Sequence, residues 1–500
     1  MTTIIGSSGG SKGGGGSSRS PKTTPDSLES NQYATVLDLI SEGEIEGLVD
    51  GNKSIFLNGT QLQADDDEFN FEDVTVYTRN GTQAQTYIPI LSGTENERPV
   101  NRPVRFGQDV IETVTDAEVD AVRVTISLQQ LQKINTKNGD TLGTSVKLKI
   151  FLEYFNGTDG ITQSYGDPVI TNKISGRSED RYQKDYLLTL NRPNAGDSVR
   201  VKVIRTHKDN RDADNKEKDN ILLTNDFSWS SMTEIKYAKL RYPNSALAAL
   251  RVEAAQFSSI PTRKYLVKGI KVRIPAGVTV DSDTGRIIYP ENFVWNGTFA
   301  AATWTSCPAF ILYDLLTNTR YGFGNHIDTA QLDKYAFFAA SKYSNALVDD
   351  GFGGQEARFS CNTTIQTAEE AFKLVNDLLS VMRCQGFWAA GSLTIEQDAP
   401  RDAAYLFTNA NVTEEGFNYS GSSLKTRPTV VVVSYLDIDL QDTAYEVVED
   451  HDGIDKYGVV RKEFSAFACT SRGQAARIGK WILYSEKFEK EVVSFTSSLD

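Results

Sequence analysis

Chemistry needs side chains of suitable type at suitable spacing, and the rarest residues come first. Three histidines, His207, His326 and His451, and four cysteines, Cys307, Cys361, Cys384 and Cys469, are scattered through 500 residues. The cysteines form no C-x-x-C pair and no zinc spacing, so they read as reduced, buried thiols. His207 lies in the charged run "HKDNRDADNKEKDN", and His326 in a connector. His451 has Glu449, Asp450 and Asp452 beside it. That set wants a second cluster of ligands to hold a metal, and it reads as a solvated turn. The 66 acidic residues always supply carboxylate pairs for glycoside hydrolysis, and nothing singles one out. There is no G-x-S-x-G elbow and no H-E-x-x-H. No catalytic, cofactor-binding or metal residue is assigned.

Two glycine-bearing stretches imitate sites. "YDLLTNTRYGFGNHI", Tyr313 to Ile327, holds Gly322 and Gly324. A dinucleotide fingerprint needs a third glycine and a strand before it. Here the pair follows a helical pattern and position 327 is Ile. The stretch reads as a helix–helix connector whose glycines allow positive φ and a tight reversal. Arg320 and Tyr321 pin it by packing and hydrogen bonds. "DGFGG", Asp350 to Gly354, shares letters with the kinase D-F-G but none of its companion motifs, and is a turn.

The elements that position these stretches follow from periodicity. "ATVLDLISEGEIEGLVDG" reads as a short apolar helix and then a turn-rich segment. Asn58-Gly59 marks a hairpin. "ADDDEFNFED" lacks the alternating ligands of a calcium loop and is a solvated acidic loop. Residues 118–206 are the clearest β region: Val146, Leu148, Ile150, Leu152 and Tyr154 alternate with mostly polar neighbours, as on one face of a strand. Short strands in this style fit a β-sandwich. Residues 118–230 read as an insertion into a domain made by the flanking segments.

From about residue 305 the period becomes helical. Ser306 caps a helix with Pro308 in its first turn and Leu312, Leu315 and Leu316 inward. A second helix starts at Asp328, with Leu332, Ala336, Ala339 and Tyr343 on one face. A third starts at a Thr367–Glu370 capping box, with Ala371, Val375, Leu378 and Met382 inward, and ends at Gly386. A hairpin turns at Gly391-Ser392. "TVVVVSYLDID" is a central strand. A helix capped by Ser471 and Gln474 buries Ala475, Ile478 and Ile482, and "EVVSFTSSLD" is a strand.

Five hundred residues exceed one core, since domains run to about 100–200 residues. The expected division is a Gly/Ser-rich flexible arm over 1–30, a β domain in two parts over 31–117 and 231–304, the sandwich over 118–230, an α+β domain over 305–400, and an α+β/β domain over 401–500. The fold class is multidomain, mainly β with an α+β layer. The formal charge of −14 argues against wrapping nucleic acid, which wants a basic footprint. The start lacks the apolar core of a signal peptide, and no run reaches the roughly 18 apolar residues of a membrane span. Synthesis in the cytoplasm, without export by an N-terminal signal, is expected.

Seven phrases then occur in one order from about residue 33 onward. They are "LDLISEGEIEGLVDGNKSIFLNGTQL", "WSSMTEIKYAKLRYPNSALAALRVEAAQF", "WNGTF", "LYDLLTNTRYGFG", "DGFGGQEARFSCN", "VMRCQGFW" and "FACTSRGQAARIGKWIL". The second carries W-S-S-x-T-E-I at Trp229–Ile235 and Y-P-N-x-A-L at Tyr242–Leu247. Together they resemble the lambda-type tail tip attachment protein family, also called host specificity protein J. The 118–230 segment resembles that family's inserted sandwich only loosely, and the Gly-rich arm is longer here.

The resemblance implies a trimeric hub at the distal tip of a long, non-contractile siphophage tail. The hub closes the tube, surrounds the end of the tape-measure protein, meets other tail tip and distal tail proteins, and passes DNA without binding it specifically. Receptor recognition would lie in a C-terminal part beyond this chain, and the natural polypeptide is expected to continue. The particle part would assemble in the host cytoplasm. The resemblance marks Trp295, Gly297, Arg320, Tyr321, Gly322, Gly324, Arg472, Gly473 and Trp481 as structural positions, with Arg320 and Tyr321 steadying the domain or its trimer contact. An acidic channel wall would let DNA slide. Two other classes compete: a tail-associated cell-wall or glycan hydrolase, and a glycan-binding adhesin built on the sandwich.

Overall fold

The computed structural model describes residues 20–28, 33–156, 160–214, 220–366, 371–389, 391–403, 405–413, 416–421, 427–489 and 491–497. Among the described residues strands dominate, and five α-helices lie in the second half: α1 Pro308–Thr317, α2 Lys334–Ser344, α3 Ala371–Val381, α4 His451–Tyr457 and α5 Arg472–Phe488. The architecture is multidomain and mainly β with an α+β layer.

Tyr33–Glu42 is a strand, not the expected helix. It pairs antiparallel with Ser245–Glu253, Leu37 opposite Ala249, and Thr75–Asn80 lines the other edge of that partner. "ATVLDLI" is apolar enough to suit either period. The partner strand, some two hundred residues away in sequence, decides for β. Ile55, Leu57, Leu62, Ala248, Leu250 and Val252 form the core of this domain. Asn58 and Gly59 carry φ of 51° and 83°, the positive values that a two-residue hairpin of this hand requires.

The strands of the sandwich fall in sequence between Thr75–Asn80 and Ser245–Glu253. One sheet runs Tyr182–Thr189, Ala121–Leu128, Phe227–Tyr237, Ser92–Pro103. The other runs Gly160–Gln163, Thr144–Asn156, Ser198–Arg205, Val110–Val114, with Ile170–Gly176 also on Thr144–Asn156. The alternating set from Val146 to Tyr154 is buried, and one core joins both sheets around Trp229, Ile126 and Leu148. The sheets thus take in strands on both sides of residues 118–230. Ser92–Pro103 reads "SGTENERPVNRP", without apolar alternation, so only its pairing with Phe227–Tyr237 reveals it.

Part of the N-terminal arm is also built in. Thr24 N donates to Thr141 O and Ser27 N to Arg177 O. Arg177 pairs with Asp26 at 2.6 Å, and Leu28 packs on the sandwich core. Composition suggested flexibility here, but one buried guanidinium holds these residues. The Gly-rich stretch before residue 20 lies outside the described residues.

The helical layer departs from expectation in its caps. Cys307, not Ser306, is the N-cap of α1, with Pro308 in the first turn. The Ser306 hydroxyl donates to Thr284 O instead. Asp328 and Gln331 do form a capping box, but on a short 3-10 turn, Thr329–Gln331. Helix α2 starts separately under Asp333 and buries Phe337, Ala340, Ser341 and Ser344, while Ala339 is exposed. The Thr367–Glu370 box lies outside the described residues. Helix α3 buries Leu374, Leu378, Leu379 and Val381 and leaves Ala371 exposed. The chain turns at Arg383, φ 53°, and Gly386 is already in the hairpin strand Cys384–Ala389. That strand pairs with Ser392–Gln397, so Ser392 is itself a strand residue. In the last domain Val430–Asp437 is central, antiparallel to Asp442–Glu449 and parallel to Arg461–Ser465. Ser471 caps α5 by accepting from Gln474 N, while the Gln474 side chain bonds Ser360.

Candidate functional site

The residues marked from sequence fall into three structural joints. The first is the connector after α1. The chain folds back onto the helix end: Phe323 N donates to Leu315 O at 2.8 Å and Gly324 N to Asn318 O at 3.0 Å. Gly322 and Gly324 are not at positive φ, which corrects the reading of a φ-driven reversal. A Cβ on Gly322 would strike the Leu315 carbonyl oxygen, and one on Gly324 the Thr317 carbonyl. Close approach therefore demands glycine here. Tyr321 donates its hydroxyl to Asp314 Oδ2 at 2.5 Å, and its ring fills the space beside Gly43. Burial raises the Asp314 carboxyl, and the Tyr321 bond only partly opposes this. Arg320 Nε meets Glu42 Oε1 at 2.5 Å. The connector thus ties the helical layer to the first β domain.

The second joint surrounds Trp295. Its indole is buried and donates to Thr298 O at 2.5 Å. Phe299 and Phe310 meet its edge. Gly297 has φ 84°, and its carbonyl accepts from Lys334 Nζ at 3.0 Å. "WNGTF" therefore fastens the long loop before α1 to the start of α2.

The third joint is α5 against "DGFGG". Asp350 accepts from Phe352 N and Gly354 N at 2.7 and 2.9 Å, so this stretch is a self-bonded turn between strands Leu347–Asp349 and Gln355–Ala357. A Cβ on Gly473 would strike Glu356. Arg472 pairs with Glu446 at 2.7 Å and lies over the Phe352 ring at 4.0 Å. Trp481 is part-exposed and donates to Asp398 at 3.1 Å.

No reactive constellation forms among the described residues. Cys307 sits at a helix start beside Ser341 Oγ, 3.0 Å away, and Tyr289 reaches the same hydroxyl at 2.5 Å. This mimics a nucleophile, but burial raises the Cys307 thiol. Burial likewise pushes Cys361 and Cys384 to about 12 and Cys469 to about 11, so thiolate chemistry is suppressed. His207 is fully buried, contrary to its charged sequence surroundings, and burial with Arg205 nearby lowers its pKa. His326 is exposed, and His451 opens α4 instead of lying in a turn. No group of three His, Cys, Asp or Glu residues gathers to hold a metal among the described residues. Sequence reasoning missed Glu42, Gly43 and Asp314, and the convergence of Arg358, Arg383 and Arg477. No local spacing links them.

Residues 94–238 match the family model for the FNIII-A domain of tip attachment protein J, and residues 370–500 match a phage tail protein model. Two relatives named tip attachment protein J align along nearly the whole chain. The one from Escherichia phage SECphi4 is 32% identical over 94% of this chain, and the one from Escherichia phage SECphi27 is 31% identical over 96%. The chain belongs to the tip attachment protein J family. It spans 40% and 38% of those relatives' length. Among solved structures, the 43 kDa tail protein of prophage MuSo2 from Shewanella oneidensis aligns over 78% of this chain and 81% of its own. Its identity is 10% and its TM-score 0.22, too low to bear on fold or role.

Proposed function

We propose that this chain is a structural part of the phage tail tip, the hub that as a homotrimer closes a long non-contractile tube. The observation that carries this reading is where several of the phrases that carry the resemblance lie. Arg320 and Tyr321 join the helical layer to Glu42 and Gly43 of the first β domain, and Gly322 and Gly324 let their connector close on the end of α1. Gly473 and Arg472 join α5 to the turn at Asp350 and to Glu446. Residues used to fix domains against each other suit a part that transmits force, not one that turns over a substrate.

On this reading the hub meets other tail tip proteins and the C-terminal end of the tape-measure protein. Host-receptor contact is left to segments outside this chain, and DNA passes through on ejection. Assembly takes place in the host cytoplasm. A wall carrying net negative charge would let DNA slide; a lumen lined by Lys and Arg would overturn that part.

The test is electron microscopy of purified particles carrying a gold-tagged antibody to this chain. Label at the distal tail tip, three copies per particle, is expected. Label confined to free protein overturns the reading. A clear zone in a cell-wall zymogram would favour a hydrolase, and polysaccharide binding by the sandwich an adhesin.

A further inference from the structure

A cavity of about 210 Å³ opens where α5, the end of α3 and the segment after Gln355–Ala357 meet. Four cations line it, Arg358, Arg383, Arg477 and Lys480, together with Phe359 and Trp481. On a chain of net charge −14, such a cluster asks what balances it.

The chain itself does so only in part. Arg477 pairs with Glu356 at 2.7 Å and donates to the carbonyls of Ala357 and Arg358. The other Glu356 oxygen accepts from Ser471 Oγ. Asp398 is engaged by the Trp481 indole. Arg358, Arg383 and Lys480 form no ion pair among the described residues. The Nε atoms of all three arginines are buried without an acceptor. Five arginine Nε atoms stand so among the described residues, and three of the five are here. Buried donors are nearly always satisfied, so this concentration is informative.

The guanidinium groups are also held in place. Arg358 lies 4.3 Å from the centre of the Tyr343 ring. Arg383 lies 5.0 Å from that of Phe359 and 5.6 Å from that of Trp481. A guanidinium stacked on a ring uses its face and leaves its N–H edge free, and that edge matches a planar carboxylate. The cavity is smaller than the roughly 300–1,000 Å³ that drug-sized ligands and cofactors fill. An inorganic phosphate would leave the rings uncovered. An acidic side chain with an apolar neighbour would cover both kinds of surface.

We propose that this cavity binds a carboxylate-bearing protein segment, with an Asp or Glu carboxylate on Arg358 and Arg383 and an apolar neighbour on Phe359 and Trp481. The assignment stands independently of the tail-tip reading. The test titrates the full chain with the peptide acetyl-Glu-Leu-Glu-Leu-amide at low salt, followed by calorimetry and tryptophan fluorescence. The Gln-for-Glu peptide and inorganic phosphate serve as comparisons. Saturable binding is expected, at least tenfold weaker for the Gln peptide. Arg358→Gln and Arg383→Gln should each weaken it at least tenfold with unchanged circular dichroism. Should those variants fail to fold, Lys480→Gln at an exposed position carries the test, with severalfold weaker binding expected. No saturable heat, or equal binding of the two peptides, overturns the site. Phosphate binding as tight as the Glu peptide overturns the protein-segment assignment.

Discussion

In the sandwich, the core is drawn from one run of chain, Val104 to Met232, and most of it lies at alternate positions of long strands. Around α1 the core is gathered differently. Val272, Phe310, Phe337, Leu378 and Ile395 come from a strand, three helices and a hairpin. The sandwich can thus bury its apolar surface with its own strands, while the helical layer needs the connector after α1, the loop at Trp295 and the contact with α5 to close. A regular pattern gives a self-sufficient module. A composite core makes each joint matter.

The largest expected effect tests self-sufficiency. Trp229 is fully buried between the sheets and donates its indole N–H to Ser231 O. Trp229→Ala should cost about 3–5 kcal/mol. A calorimetric scan should show a low-melting sandwich transition while the transition of the helical layer stays put. A uniform shift of both would mean the two regions are not separate. Next, Gly322→Ala should cost about 2–3 kcal/mol by overpacking against the Leu315 carbonyl and should lower the helical transition alone. An unchanged melting temperature would show that the connector can move away from α1.

The third test concerns pH. Burial would raise the Asp38 carboxyl, but hydrogen bonds from Arg263 and Tyr265 outweigh it and leave its pKa lowered. A lowered carboxylate contributes stability that is present above its unfolded pKa of about 3.9 and is lost as pH falls through the folded value. Asp38→Asn should therefore cost about 1 kcal/mol near neutrality, and the gap from the parent should close on acidification below pH 4. A gap that stayed constant to pH 3 would show that the pair contributes nothing through charge. The smallest effect on stability belongs to Arg320→Ala. Its ion pair with Glu42 is exposed on both sides and should be worth less than about 1 kcal/mol. If the connector serves assembly, tail tip yield should fall all the same; a normal yield would reduce Arg320 to a surface charge.

Much of the fold was legible where one face repeats. The alternation from Val146 to Tyr154, the Asn58-Gly59 hairpin, the central valine strand at 430–437 and the inward face of α5 all follow from local period and local backbone need. Sequence order likewise placed the chain by its seven phrases. Where the sequence misled, the reason was a partner distant along the chain. Tyr33–Glu42 became a strand because Ser245–Glu253 supplies its hydrogen bonds. Ser92–Pro103, too polar to signal a strand, was fixed by Phe227–Tyr237. Gly322 and Gly324 are glycines because the helix end they pack against leaves no room for a Cβ, a fact of contact and not of φ. The gathering of Arg358, Arg383 and Arg477 was likewise decided only in three dimensions. Periodicity is a property of neighbours in sequence, whereas charge and close packing act between neighbours in space.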